Sequence, residues 1–536
     1  MKNLFNKTGM MFLHTLRRDW LKLVVWGLAL SFFAGGFASP LYEIYGKDPA
    51  GLAGMYETMK NPAMIALVGP TAATVQTYTV GAMYSHEMLL FTALIFAIIS
   101  IMHVISRTRK EEDEGTTELI RSFQVGRLAN TTAIVIEMFL LHVVIALITT
   151  GILVASDVPG MDFSSNLLYS VSLGAQGFLW AMFALICANL ATSSGGARGL
   201  SFIVLGISYL ARMYTDMENI DLSWLNPLGW SYLTNVYVEN DWLPIIITIV
   251  VSMIMMGVAY ALERHRDIDA GYLPERSRRA HAKESLLSLP GLVLRLQKNF
   301  IIGWLIAIFI GGATYGSIFG DMENFMNDNE VMRQMFLQNS EFTIQEQFMS
   351  VLFVIMALLS GIFALGSLLK LVSEERKNHW DQLYAMHQSR AKFYWLHVIL
   401  ASFLGLIGQF AAVVGMYVAQ LGVMEDPLSF WEVTRAGMVW VPAVFFLVAL
   451  LALMIGWLPR FSSIIWGYIL FAFFVSYFGQ LIDLPEWVKN LDVFSYIPRI
   501  PVEEMKWPNI FIIKAIALVM IVLGLIGYKR RDMISG

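Results

Sequence analysis

Apolar runs of about 20 residues alternate with short polar segments from one end of this chain to the other. A helix of about 20 residues crosses a hydrocarbon core about 30 Å thick. The alternation predicts spans at about 20–42, 83–106, 131–154, 167–192, 199–215, 244–262, 300–320, 348–372, 395–423, 434–457, 463–482 and 509–528. Charged residues make up only 15% of the chain, against about 25% in soluble domains. The fold class expected is therefore an all-α polytopic membrane protein with about 12 transmembrane helices. The first run lies behind a polar amphipathic start and is too long for a signal-peptide core. The single cysteine, Cys187, falls inside a span, forms no internal disulfide and reads as a small packing residue.

Net charge is uninformative at −4, but its distribution is not. With the N-terminus inside, inside segments hold about 26 of the 37 Lys and Arg residues and outside segments about 6. That asymmetry places both termini in the cytosol, in agreement with the tail Lys529, Arg530 and Arg531. The segment from Glu263 to Asn299 carries Arg264, Arg266, Arg276, Arg278, Arg279 and Lys283 and divides the chain. The expected organisation is a six-span half over 1–262, a cytosolic linker and interfacial helix over 263–299, and a second six-span half over 300–536. Each half opens on an amphipathic stretch, with Leu4, Phe5, Met11, Phe12 and Leu16 in one and Leu287, Leu292, Leu294 and Leu296 in the other. Near the end of each half, Asp221 to Pro227 aligns with Asp492 to Pro498. An even number of spans per half implies parallel repeats about a pseudo-two-fold axis along the membrane normal. Small residues at four-residue spacing, Ser31, Gly35 and Ser39 in span 1 and Gly312, Gly316 and Gly320 in span 7, suit close helix packing.

A polar island follows the second span of each half. Glu111 and Glu112 align with Glu374 and Glu375, Glu118 with Asp381, Ile120 with Leu383 and Arg127 with Arg390, all at one offset. A charged helix kept at the same place in two halves reads as a docking surface for a cytosolic partner rather than an ordinary solvated loop. Its carboxylates and Arg127 offer charge-assisted contacts, and Leu119, Ile120 and Phe123 an apolar anchor.

The chain has no phosphate-cradling Gly-x4-Gly-Lys-Ser/Thr motif, no catalytic or metal-ligand constellation and no nucleic-acid signature, so uphill transport would need an ion gradient or another subunit. The acids Asp321, Glu323, Asp328 and Glu330 depart from calcium-loop spacing and read as solvated surface, and His86-Glu87 lacks the second histidine of a metallopeptidase helix. Glu137 lies about two turns into span 3, while His103, His142 and His397 read as packing histidines. No mid-membrane carboxylate pair suggests a proton relay.

At the islands, Arg-Thr-Arg-Lys-Glu-Glu (107–112), Gly115, Glu118-Leu-Ile-Arg121 and Val-Gly-Arg127 resemble the permease subunit of an ABC-2-type exporter, in the double-length polyketide-antibiotic or tetronasin-type family. Asn61-Pro62, Ala66 to Pro70 and Asn226-Pro-Leu-Gly-Trp230 extend the resemblance over most of the chain. Within the family it is most similar to narasin-type polyether ionophore resistance permeases. The second island is degenerate: Asn378 replaces Gly115 and the leading Arg-Thr-Arg is absent. The resemblance implies ATP-driven export of a hydrophobic antibiotic across a bacterial cytoplasmic membrane. A dimer of a separate ATPase subunit would bind ATP and Mg, and the islands would be its coupling helices; no cofactor is expected in this chain.

The resemblance also puts the second and fifth span of each half at the midline. That gives as substrate-path candidates Phe202, Tyr209, Arg212 and Met213 in span 5, Phe348, Phe353, Met356 and Phe363 in span 8, and Tyr468, Phe471, Phe474 and Tyr477 in span 11. Core or lipid-facing packing is the competing reading of each. Arg212 offers a cation either to the carboxylate of an ionophore or to the outer interface by snorkelling. Two other functional classes stay open: a proton-driven multidrug transporter, and a membrane sensor or scaffold that holds a cytosolic protein.

Overall fold

The computed structural model describes residues 4–60, 62–273, 281, 283–317, 319, 344–376, 379–380, 388–424, 426–478 and 485–532. Among these, all regular structure is helical. Eleven helices are long and apolar enough to cross a membrane. The protein is an integral membrane protein of all-α class. It divides into two compact units, Met1–Arg278 and Arg279–Gly536. The boundary falls inside the segment read above as the divider.

The first unit runs through α1 (Thr8–Gly35), α2 (Ala38–Tyr45), α3 (Pro49–Met59), α4 (Pro62–Val68), α5 (Val80–Arg107), α6 (Arg109–Asp113) and α7 (Thr116–Arg121). It continues through α8 (Ala129–Ala155), α9 (Phe163–Leu190), α10 (Ser194–Glu218), α11 (Gly229–Tyr232) and α12 (Leu243–His265). Its core joins α5, α8 and α9 through Tyr84, Phe96, Ile101, Met138, Tyr169 and Trp180, with Ala34 of α1 also buried. Helix α10 accounts for the twelfth expected span. Its 25 residues are long enough, yet Arg198, Arg212, Asp216 and Glu218 keep it off the apolar set.

The second unit comprises α13 (Leu289–Ser317), α14 (Ile344–Arg376), α15 (Arg390–Gln420), α16 (Phe430–Met438), α17 (Val441–Trp457), α18 (Ile465–Phe478), α19 (Glu486–Lys489) and α20 (Trp507–Arg530). The span read over 434–457 breaks between α16 and α17, next to Pro442, which sits in the first turn of α17 and cannot donate to the turn before it. A capping box of Ser429 and Glu432 starts α16.

Most of the amphipathic stretch that opens each half is continuous with the first span. Met11, Phe12 and Leu16 lie in α1, of 28 residues, and Leu292, Leu294 and Leu296 in α13, of 29, while Leu4, Phe5 and Leu287 precede these helices. No proline falls between Leu16 and Trp20 or between Leu296 and Phe300, so the helix continues there. Glycine packing takes the form the spacing suggests. A Cβ on Gly312 would lie 2.3 Å from the Ala412 carbonyl oxygen, and one on Gly316 2.3 Å from that of Met416, so α13 and α15 meet backbone to backbone. In the first unit Ser31 of α1 donates to the Ile145 carbonyl of α8 at 3.4 Å. Gly320 and the acids at 321, 323, 328 and 330 lie outside the described residues.

The two aligned segments near the end of each half both fold as short 3-10 turns, Ile220–Leu225 and Val493–Tyr496. Asn219 caps the first by accepting from Asp221 N, and Asp492 the second by accepting from Phe494 N.

Candidate partner-docking site

The first island is a bent pair of short helices. After α5, the chain breaks at Thr108 and forms α6; Gly115, at φ +74°, then turns it into α7. A left-handed backbone at that position favours glycine. Carboxylates that the spacing suggested would face a partner point inward instead. Glu112 is buried and accepts both terminal nitrogens of Arg266, at 2.9 and 2.7 Å, as well as the Asp269 backbone N–H at 2.7 Å. Glu111, also buried, pairs with Arg18 at 2.8 Å and with Arg107 at 3.5 Å. Arg127 donates from Nε to the Glu263 carbonyl at 3.0 Å and from Nη2 to the Arg266 carbonyl. Arg109 ties α6 to the main chain of Thr192, Asp269 and Ala270 at 2.7, 2.9 and 2.9 Å.

The same clasp occurs in the second unit. Glu375 is buried and accepts Nη1 and Nη2 of Arg531 at 2.8 and 2.6 Å, while Arg390 donates to the Arg531 carbonyl at 2.7 Å. Glu374 pairs with His379 at 2.6 Å and Lys370 at 3.4 Å. Arg266 and Arg531 occupy the same place, the first residue beyond α12 and α20. Each unit thus uses one arginine to bind an island carboxylate and to offer its carbonyl to the arginine that follows the island. Asp381 and Leu383 lie outside the described residues.

The clasp leaves a small set of residues facing outward. Leu119 and Phe123 are each 65% exposed, with Gly115 and Glu118 exposed beside them. Ile120 belongs with neither group: it packs on Met11, Ala129 and Ala133 and so fastens α7 to its own bundle. Beneath the island lies a polar cleft lined by Arg109, Glu112, Arg121, Arg127, Glu263 and Arg266.

Sequence reading missed both clasp arginines, which figured only as inside charges. Their place within four residues of the end of the last span read in each half was the available signal. It also missed a buried network between α1, α5 and α8. His103 is not a packing histidine: its Nε2 lies 3.0 Å from Glu137 Oε1 and its Nδ1 3.2 Å from Lys22 Nζ. Arg107 bonds Asp19 in the same place. Donor atoms of Asp19, His103 and Glu137 lie within 4.8 Å of one another, close enough to hold a metal ion. The network, however, sets three carboxylates (Asp19, Glu111, Glu137) against three fixed cations (Arg18, Lys22, Arg107), which balances it without an ion.

Substrate-path candidates separate by placement. Phe348, Phe353, Met356 and Phe363 are buried in the core of the second unit and serve packing. Arg212 is fully buried, bonds Asp216 at 2.8 Å and the Leu67 carbonyl at 2.9 Å, and stacks 4.6 Å from the Tyr209 ring. It neither snorkels nor stands open to a ligand carboxylate. Phe202, Tyr209, Met213, Tyr468 and Phe471 are half-buried, and Phe474 is 44% exposed; the Tyr477 side chain lies outside the described residues.

The chain is 29% identical over 526 residues to the Multidrug efflux system permease protein Rv1217c of Mycobacterium tuberculosis (strain ATCC 25618 / H37Rv), covering 96% of this chain and 93% of the relative. Residues 286–529 match the family described as the Multidrug efflux system permease Rv1217c, C-terminal domain. Similarity of this extent takes in most of both compact units.

Proposed function

We propose that this chain is the transmembrane permease subunit of an ATP-driven efflux pump that exports hydrophobic antibiotics, with polyether ionophores or polyketides as the narrower class. Its near full-length similarity to a protein described as a multidrug efflux permease supports the transport role. The observation that carries the docking role is the pairing of a rigidly clasped island with an outward apolar tip, Leu119 and Phe123. Exposed large apolar residues on a short charged helix mark an interaction site. A separate ATPase dimer would seat the tips and supply ATP hydrolysis with Mg. This chain's own residues pass the displacement on: α7 moves, Glu112 pulls Arg266, and α12 follows. Substrate release then depends on a difference in affinity between the two conformations. In this reading both termini are cytosolic and the membrane is the bacterial cytoplasmic membrane. An ion pair between Arg212 and a ligand carboxylate has no support, because Asp216 already takes that charge.

A second reading, proton-driven export, is favoured by one observation: the buried His103–Glu137 pair inside the spans. Export by cells that keep their proton gradient but lack ATP would favour it over the first. The docking role is tested with Leu119→Asp together with Phe123→Asp. Drug-stimulated ATPase activity of the assembled pump and resistance should fall at least tenfold, as hot-spot truncations of more than about 2 kcal/mol imply. The permease should remain in the membrane at normal level, and unchanged resistance would refute the docking role.

A further inference from the structure

Helix α5 presents one face that the protein leaves open. Phe91, Ile98 and Met102 on it are 38%, 43% and 42% exposed, at the four- and seven-residue spacing of one helical stripe. One turn before Phe91, at the end of α5 far from the island, stands Glu87. This carboxylate lies within a candidate span, is half-buried, and has a buried Oε1 without a hydrogen-bond partner. An acidic group at such a depth is costly unless it is paired or used. Two cations among the described residues of the first unit already have partners. Lys60 sits 4.4 Å over the Tyr56 ring and 3.4 Å from Glu57, and Arg212 is held by Asp216. The wall behind Glu87 is aromatic and satisfied: Tyr56 and Tyr78 pack with ring centroids 5.2 Å apart, and the Tyr78 hydroxyl meets His86 Nδ1 at 3.2 Å. Tyr78 is also an electrostatic neighbour of Glu87.

We propose that Glu87 and Phe91 form a recognition site for lipophilic organic cations, the ligand charge meeting the carboxylate and its apolar body lying along Ile98 and Met102. The chemistry is complementary at each point. A delocalised cation is desolvated at little cost, an aromatic ring one helical turn from the carboxylate adds a cation–π contact, and methionine adapts to varied shapes. The inference rests on the efflux reading and extends its substrate class from antibiotics of the polyether or polyketide type to lipophilic cations.

The test uses the full chain in phosphatidylcholine nanodiscs, with equilibrium binding of tetraphenylphosphonium and of neutral triphenylphosphine oxide. Glu87→Gln keeps the side-chain volume and removes only charge. It should weaken phosphonium binding about tenfold and leave the neutral probe within about twofold, while Glu87→Asp should retain most of the affinity. Phosphonium binding that survives Glu87→Gln, or an equal fall for both probes, overturns the site. A companion export assay in cells with the partner ATPase separates the two levels. If Glu87→Gln exports neutral drug normally but shows no change for the cation, the site fails and the efflux reading stands. If the unaltered protein exports neither probe, the efflux reading itself fails and the site with it.

Discussion

Two buried ionic sites carry measurable consequences. Arg266 and Glu112 have side chains only 8% and 6% exposed and are joined by two short parallel bonds. Removing one partner of such a pair strands a buried charge, which costs about 3–5 kcal/mol. Arg266→Ala should therefore lower the unfolding temperature of the purified protein sharply. Adding Glu112→Gln should restore part of the loss, and equal single and double variants would deny the coupling. Asp492 is fully buried outside the spans, held by Ser476 Oγ at 2.8 Å and the Phe494 N–H at 3.1 Å. Burial pushes its carboxyl up from 3.8 to about 6. The folded state thus binds this proton more tightly than the unfolded chain does. The group's contribution is full below about 3.8 and is lost as pH rises through about 6. Unfolding temperature measured from about pH 3.5 to about 6.5 should fall less steeply for Asp492→Asn than for the unaltered protein; identical slopes would contradict the assignment. Neither role was legible in the sequence, where both residues are one charge among many and only their three-dimensional partners distinguish them.

Helices were far more legible than their surroundings. Eleven of twelve expected spans form as long apolar helices, because a stretch of about 20 apolar residues has no alternative in a bilayer. The exception, α10, is instructive: its Arg212 and Asp216 neutralise each other four residues apart, a satisfaction that hydropathy alone does not register. The glycine spacing in α13 was read as a packing device, and the structure adds its partner, α15. Gly312→Leu should drive the two helices apart, since even a Cβ would come within 2.3 Å of the Ala412 carbonyl oxygen. Overpacking of this kind costs about 1–3 kcal/mol or more, visible as lower yield of monodisperse protein and a lower unfolding temperature. A normal elution profile and unchanged unfolding temperature would mean that this crossing is not tight. The islands lie at the other extreme. Their repetition was evident, but a repeated carboxylate was read as an outward contact when it is an inward one. Periodicity locates a conserved spacing within the chain; it does not tell which way a short helix faces.

At the scale of the whole molecule, each compact unit closes its own polar end with the same three-part tie: island carboxylate, terminal arginine, and the arginine that opens the next long helix. The terminal arginines extend α12 and α20, and both of these helices show most of their length to the surroundings, with 22% and 33% of their apolar windows buried. Each island is therefore joined, through one guanidinium, to a helix that stands largely open to its surroundings. A span whose apolar length differs from the local bilayer thickness can accommodate the difference in part by tilting. A change in lipid thickness that tilts α12 or α20 would then reach the polar end of its unit through that single side chain.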